Sequence, residues 1–138
     1  GQEGEGVARK RAYRYDKAMQ LWERVADMAS ARNMCSAAIF QGRCVVAGGW
    51  DATRDTLNSV EWYCPRADTW SRMARLWTPR DSAQMAVIDG QLYAVGGYDH
   101  KTRLLASMER FDHLRNTWWE VDAELSEPRA AMGLVADG

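Results

Sequence analysis

The stretch CVVAGGWD, residues 44–51, returns as LYAVGGYD at residues 92–99, with 48 residues from Gly48 to Gly96. The landmarks around it keep the same step. Trp22, Trp70 and Trp118 stand 48 apart, as do Tyr15, Tyr63 and Phe111. A constant period of this size marks stacked supersecondary units, each burying its apolar surface against the next. Between the repeated glycines lie only short apolar runs broken by turn residues, with no helical periodicity over a useful window.

Within one period the order is fixed: a connection ending in Arg32, then MCSAAIF, a QG turn, RCVVAGG, a loop, NSVEWY, a turn, and TWSRMA. The second period repeats it with Arg80, SAQMAVI, a DG turn, QLYAVGG, ASMERF and TWWEVD. Four short antiparallel strands per unit with a glycine break after the second fit a propeller blade. Ahead of these units, VARKRAYRY and QLWERVA read as two further strands; after them, SEPRAAMGLVADG reads as one strand and its turn. The expected division is therefore 1–27 as the end of one blade, 28–75 and 76–123 as complete blades, and 124–138 as the start of the next. The chain enters and leaves mid-unit. The fold class is all-β, a partial propeller of four-stranded antiparallel blades of about 48 residues.

Composition narrows the function classes. The 138 residues carry 18 Lys+Arg against 19 Asp+Glu, a net charge of -1, which supplies no broad field for a polyanion. Nucleic acid and anionic membrane are thus not expected partners. No apolar run reaches a membrane span, and the opening GQEGEG is not a signal peptide. Cys35, Cys44 and Cys64 form no CxxC and are odd in number, which suits buried reduced thiols and a cytoplasmic location rather than a disulfide framework.

Glycine pairs at strand ends invite a phosphate-cradle reading, but no Lys-Ser/Thr or helix follows them. Glu61 and Glu109 recur once per unit, so they are distributed rather than converging as a catalytic pair; partnering a buried Arg or backbone donors is the expected role. The six aromatics of the 48-residue step are expected in the core. The cluster Arg9, Lys10, Arg11, Arg14 and Lys17 reads as a solvated face. The two histidines, His100 and His113, fall in separate connections and suggest no metal site, and no nucleophile motif is present. An enzyme is not expected, nor a cofactor.

The ordered set GGWD and GGYD, LNSVEWY and LLASMERF, TW, TPR and IDGQLYAVGG resembles kelch repeats, in detail those of the BTB-kelch (Kelch-like) proteins, from Ala12 onward. The resemblance implies a protein-binding propeller region that recruits the substrate of a cullin-RING ubiquitin ligase, with the cullin scaffold held by domains outside this chain. It is also compatible with an actin-associated kelch scaffold. A galactose-oxidase-like copper enzyme on kelch blades needs His and Tyr ligands that these two histidines do not supply. By register with the family, the peptide-binding mouth falls on Trp50, Asp51, Tyr98, Asp99 and His100 after the double glycines, and on Asn33, Asp81 and Ser82 beside Arg32 and Arg80. Trp50 and Tyr98 are the expected aromatic anchors.

Overall fold

The structure, a computed structural model, describes residues 8–99 and 103–121. The expected strand within 124–138 and the candidate His100 lie outside them. Two four-stranded antiparallel sheets form the body. In the first, β3 (Ser36–Phe40), β4 (Arg43–Ala47), β5 (Val60–Cys64) and β6 (Thr69–Met73) are hydrogen-bonded in chain order. In the second, β7 (Gln84–Ile88), β8 (Gln91–Val95), β11 (Met108–Asp112) and β12 (Thr117–Val121) repeat that order, while β9 (Tyr98–Asp99) and β10 (Arg103–Leu104) pair within the connecting loop. A two-stranded sheet, β1 (Ala12–Asp16) with β2 (Leu21–Val25), precedes them. The expected long first strand is shorter: among the described residues it begins at Ala12, and upstream Arg9 forms an isolated bridge with Arg32 while the Lys10 carbonyl accepts from the Met28 amide.

Turn chemistry explains the hairpins. Gln41 and Gly42 between β3 and β4, and Asp89 and Gly90 between β7 and β8, all have positive φ. Two consecutive left-handed residues give a turn whose twist matches that of the flanking strands.

Strand alternation assigns each sheet two faces. One face of the first sheet offers Phe40, Val45, Ala47 and Val60, and it meets Met85, Leu92, Ala94, Phe111 and Trp118 of the second, with Leu76 from the connection between them. This is the main core. Phe40 and Phe111 touch edge to face across it, ring centroids 6.1 Å apart. Trp62 is partly buried against the same cluster.

Two tryptophans of the 48-residue step, Trp70 and Trp118, also tie neighbouring units by a hydrogen bond. Trp70 Nε1 donates to the Ala26 carbonyl at 2.7 Å, and Trp118 Nε1 to the Ala74 carbonyl at 2.9 Å. The expectation that all six stepped aromatics are core needs correction. Tyr63, Phe111 and Trp118 are buried and Trp70 is half-buried, but Tyr15 and Trp22 are 47% and 70% exposed. Their rings still meet edge to face at 5.3 Å. Burial of such a ring requires a sheet on its far side, and no described strand stands there.

Candidate functional site

The corners after β4 and β8 are built by a buried arginine. Arg32 is fully buried: its Nε and Nη2 reach Glu61 Oε2 at 3.3 and 3.0 Å, its Nη1 donates to the Gly48 and Ser59 carbonyls at 2.8 and 3.0 Å, and Nη2 also donates to Ser59 Oγ. Arg80 repeats this set one unit on: its Nε reaches Glu109 Oε2 at 3.0 Å, its Nη1 donates to the Gly96 and Ser107 carbonyls, and its Nη2 to Ser107 Oγ. Glu61 in turn accepts from the Ala29 and Ser30 amides, as Glu109 does from those of Trp77 and Thr78. The recurrent glutamates thus partner a buried Arg and backbone donors, as their spacing suggests. Both guanidiniums are consumed by the architecture and present no surface.

The double glycine carries the next link. Gly49 N donates to the Arg80 carbonyl at 2.8 Å, and a Cβ on Gly48 would stand 2.1 Å from that same oxygen. With φ of 66° and 89°, Gly48 and Gly49 turn the chain where one unit touches the connection of the next.

This corner brings the candidate residues together in pairs. Asn33 and Trp50 exchange both backbone hydrogen bonds at 2.9 Å; Asp81 and Tyr98 do the same at 2.9 and 2.8 Å, one unit on. Ser82 N donates to the Met34 carbonyl, joining the two pairs across the unit boundary, and Thr56 Oγ1 donates to Asp81 Oδ2 at 3.3 Å. Asn33, Asp81 and Trp50 are buried; Asp51, Ser82, Tyr98 and Asp99 are half-buried. The surface offered to a partner is therefore that of Asp51, Ser82, Tyr98 and Asp99, with Asn33 beneath. Asn33 Oδ1 is buried with no hydrogen-bond partner, although buried polar atoms ordinarily find one.

Asp51 is largely occupied by its own loop. Its Oδ1 accepts from Thr53 Oγ1 at 2.6 Å and from the Thr53 and Asp55 amides, and these bonds hold its carboxyl below the ordinary value. Sequence reading passed over Arg54, whose guanidinium lies 5.5 Å from the Trp50 ring centroid. Only the folded loop shows that contact; a lone Arg in DATRDT carries no motif. Away from the corner, Cys35, Cys44 and Cys64 are free thiols, and burial, with Cys35 nearby, pushes the Cys44 thiol up. A raised pKa disfavours the reactive thiolate.

An established model of the kelch motif matches residues 31–76 and 79–121, and the chain belongs to the kelch-repeat family, whose propellers bind proteins. Beta-scruin of Limulus polyphemus is 42% identical over 65 residues, which are 47% of this chain and 7% of that protein. The chain thus spans a small part of this curated relative. Among solved structures, that of YjhT shares the fold with a TM-score of 0.73 at 15% identity, covering 88% of this chain and 46% of YjhT.

Proposed function

We propose that this chain is part of the substrate-recognition propeller of a BTB-kelch adaptor for a cullin-RING ubiquitin ligase, and that the corner built from Asn33, Trp50, Asp51, Asp81, Ser82, Tyr98 and Asp99 contacts a peptide of the recruited protein. The observation that carries the reading is the buried side-chain oxygen Oδ1 of Asn33, which has no donor, beside Trp50 and one unit away from Tyr98. A peptide N–H is the complementary group, and an aromatic at the rim offers contact area at low entropic cost. The half-buried carboxylates at this corner are those of Asp51 and Asp99, with Asp81 buried beneath, so a peptide carrying a cation and an amide donor suits it better than an acidic one.

In the full-length protein containing this region, affinity purification under crosslinking should recover a cullin, and Tyr98→Ala and Asn33→Ala should lower recovery of the recruited protein while leaving the cullin bound. Trp70→Ala serves as the core control, because it lowers stability. Recovery unchanged in both corner variants overturns the site; absence of a cullin overturns the ligase role. The kelch resemblance extends to actin-associated scaffolds, so co-sedimentation with filamentous actin is the arm that separates the two.

A further inference from the structure

The face of the first sheet that turns away from the second carries an apolar groove of about 650 Å³. Its floor is Ala37, Cys44, Val46, Tyr63 and Trp70, and one wall is β1, of which the consecutive residues Ala12, Tyr13 and Arg14 all border it. Consecutive side chains of a strand point to opposite faces, so the groove follows the backbone edge of β1 rather than one of its faces. Among the described residues, β1 is paired with β2 alone. An edge strand beside apolar surface is a template for one more strand.

The repeat shows what shape of occupant this place takes. One unit on, the equivalent floor of Met85, Leu92, Ala94, Phe111 and Trp118 packs on Phe40 of β3, Val45 and Ala47 of β4 and Val60 of β5. Over the first sheet, β1 is the counterpart of β5, 48 residues earlier, and no described strand stands in the places of β3 and β4. Residues 132–136, MGLVA, lie two steps of 48 after β3 and one step after β7, so by register they are a strand of the kind that fills this place in the next unit. The run 130–136, AAMGLVA, is uncharged and free of proline, which suits a strand covered on both faces. Charge agrees. The charged residues that line the groove are Arg11 and Arg14, none of the described lining residues is acidic, and Asp137 follows the apolar run.

We propose that this groove takes up residues 130–136 of a second copy as a strand added along β1, independently of any partner at the glycine corners. The segment follows β12 of the second sheet, whereas the groove opens on the face of the first sheet that turns away from the second. A neighbouring copy therefore meets the groove directly, while a copy's own segment has to pass around the first sheet. The contact joins two different surfaces, and reciprocal exchange closes it as a dimer.

The test uses the full 138-residue chain and a synthetic peptide of residues 128–138. In sedimentation the parent chain should associate, and Leu134→Asp should stay monomeric at concentrations where the parent is a dimer. The peptide should bind the Leu134→Asp chain saturably, read from the Trp70 indole N–H resonance at the groove floor, and in excess it should return the parent to monomer. A peptide carrying the same Leu134→Asp change should bind at least about ten-fold more weakly, because it places a charge on apolar surface. If Leu134→Asp lowers the folded circular-dichroism signal, dissociation of the parent by the peptide remains the test. Association of Leu134→Asp equal to that of the parent, failure of the peptide to bind, or equal binding of the altered peptide overturns the proposal. A monomeric parent that excludes the peptide while Leu134→Asp binds it puts the segment in its own copy's groove, and overturns the second copy as occupant.

Discussion

A single arginine per unit holds the corner. Because Arg32 satisfies the Gly48 and Ser59 carbonyls as well as Glu61, its truncation leaves a buried carboxylate and two backbone acceptors unmet. Arg32→Ala should therefore destabilise by about 3 to 5 kcal/mol, measured by denaturant unfolding. Replacing both partners by Leu should not recover that loss, unlike an isolated buried ion pair, since the Ala29 and Ser30 amides lose their acceptor too. The glycines give a paired prediction. Gly42 has φ of 76° and open space where a Cβ would go, so Gly42→Ala should cost only the left-handed strain of about 1 to 2 kcal/mol. Gly48→Ala adds a collision with the Arg80 carbonyl and should cost clearly more, with loss of the folded circular-dichroism signal as the upper outcome.

Between elements, Trp70, Trp118 and the turn acid Asp68 link one unit to the next. Trp118 is about 1% exposed and Trp22 is 70% exposed, at equivalent positions of their strands. Trp118→Ala should cost about 3 to 5 kcal/mol, whereas Trp22→Ala should cost no more than about 1, the worth of its ring contact with Tyr15. Equal losses would show that the outer face of β1–β2 is covered in solution. Asp68, at the turn between β5 and β6, accepts from the Ala26 amide at 2.8 Å and from the Tyr63 hydroxyl at 2.7 Å, and these two bonds, the backbone one first, hold its carboxyl below the ordinary value. A carboxylate depressed in the folded state stabilises it above the unfolded value and loses that contribution as pH falls through the folded one. Melting followed from pH 7 down through the acidic side of about 4 should drop less steeply for Asp68→Asn than for the parent chain. Identical pH profiles would remove Asp68 as a link between the first two units.

For the molecule as a whole, the face of the second sheet that packs on Phe40 and Val45 has a counterpart on the first sheet that only the two-stranded sheet and its connection flank. Ala37, Cys44, Val46, Tyr63 and Trp70 occupy the positions of Met85, Leu92, Ala94, Phe111 and Trp118, and together with Val25 and Met28 they line an apolar groove of about 650 Å³. Apolar surface of this kind beside a sheet edge favours association. The 138-residue chain alone should sediment with a concentration-dependent mass and unfold at a midpoint that rises with concentration. A monomer with a sharp, concentration-independent transition at all concentrations would count against this.

Local chemistry in the sequence determined the repeat, the strand order and the hairpin turns, because the 48-residue step, the period-two alternation and the QG and DG turns act over a few residues each. The pairing of Glu61 and Glu109 with a buried cation was likewise legible, since a carboxylate recurring once per unit has to be satisfied within that unit. The tertiary structure decided what depends on neighbours. Trp22 and Trp118 occupy the same register yet differ in burial, because burial is set by what stands on the other side of a strand. Arg32 and Arg80 read as rim residues from their place beside the mouth, and only the fold shows their donors turned inward onto carbonyls 16 and 27 positions away.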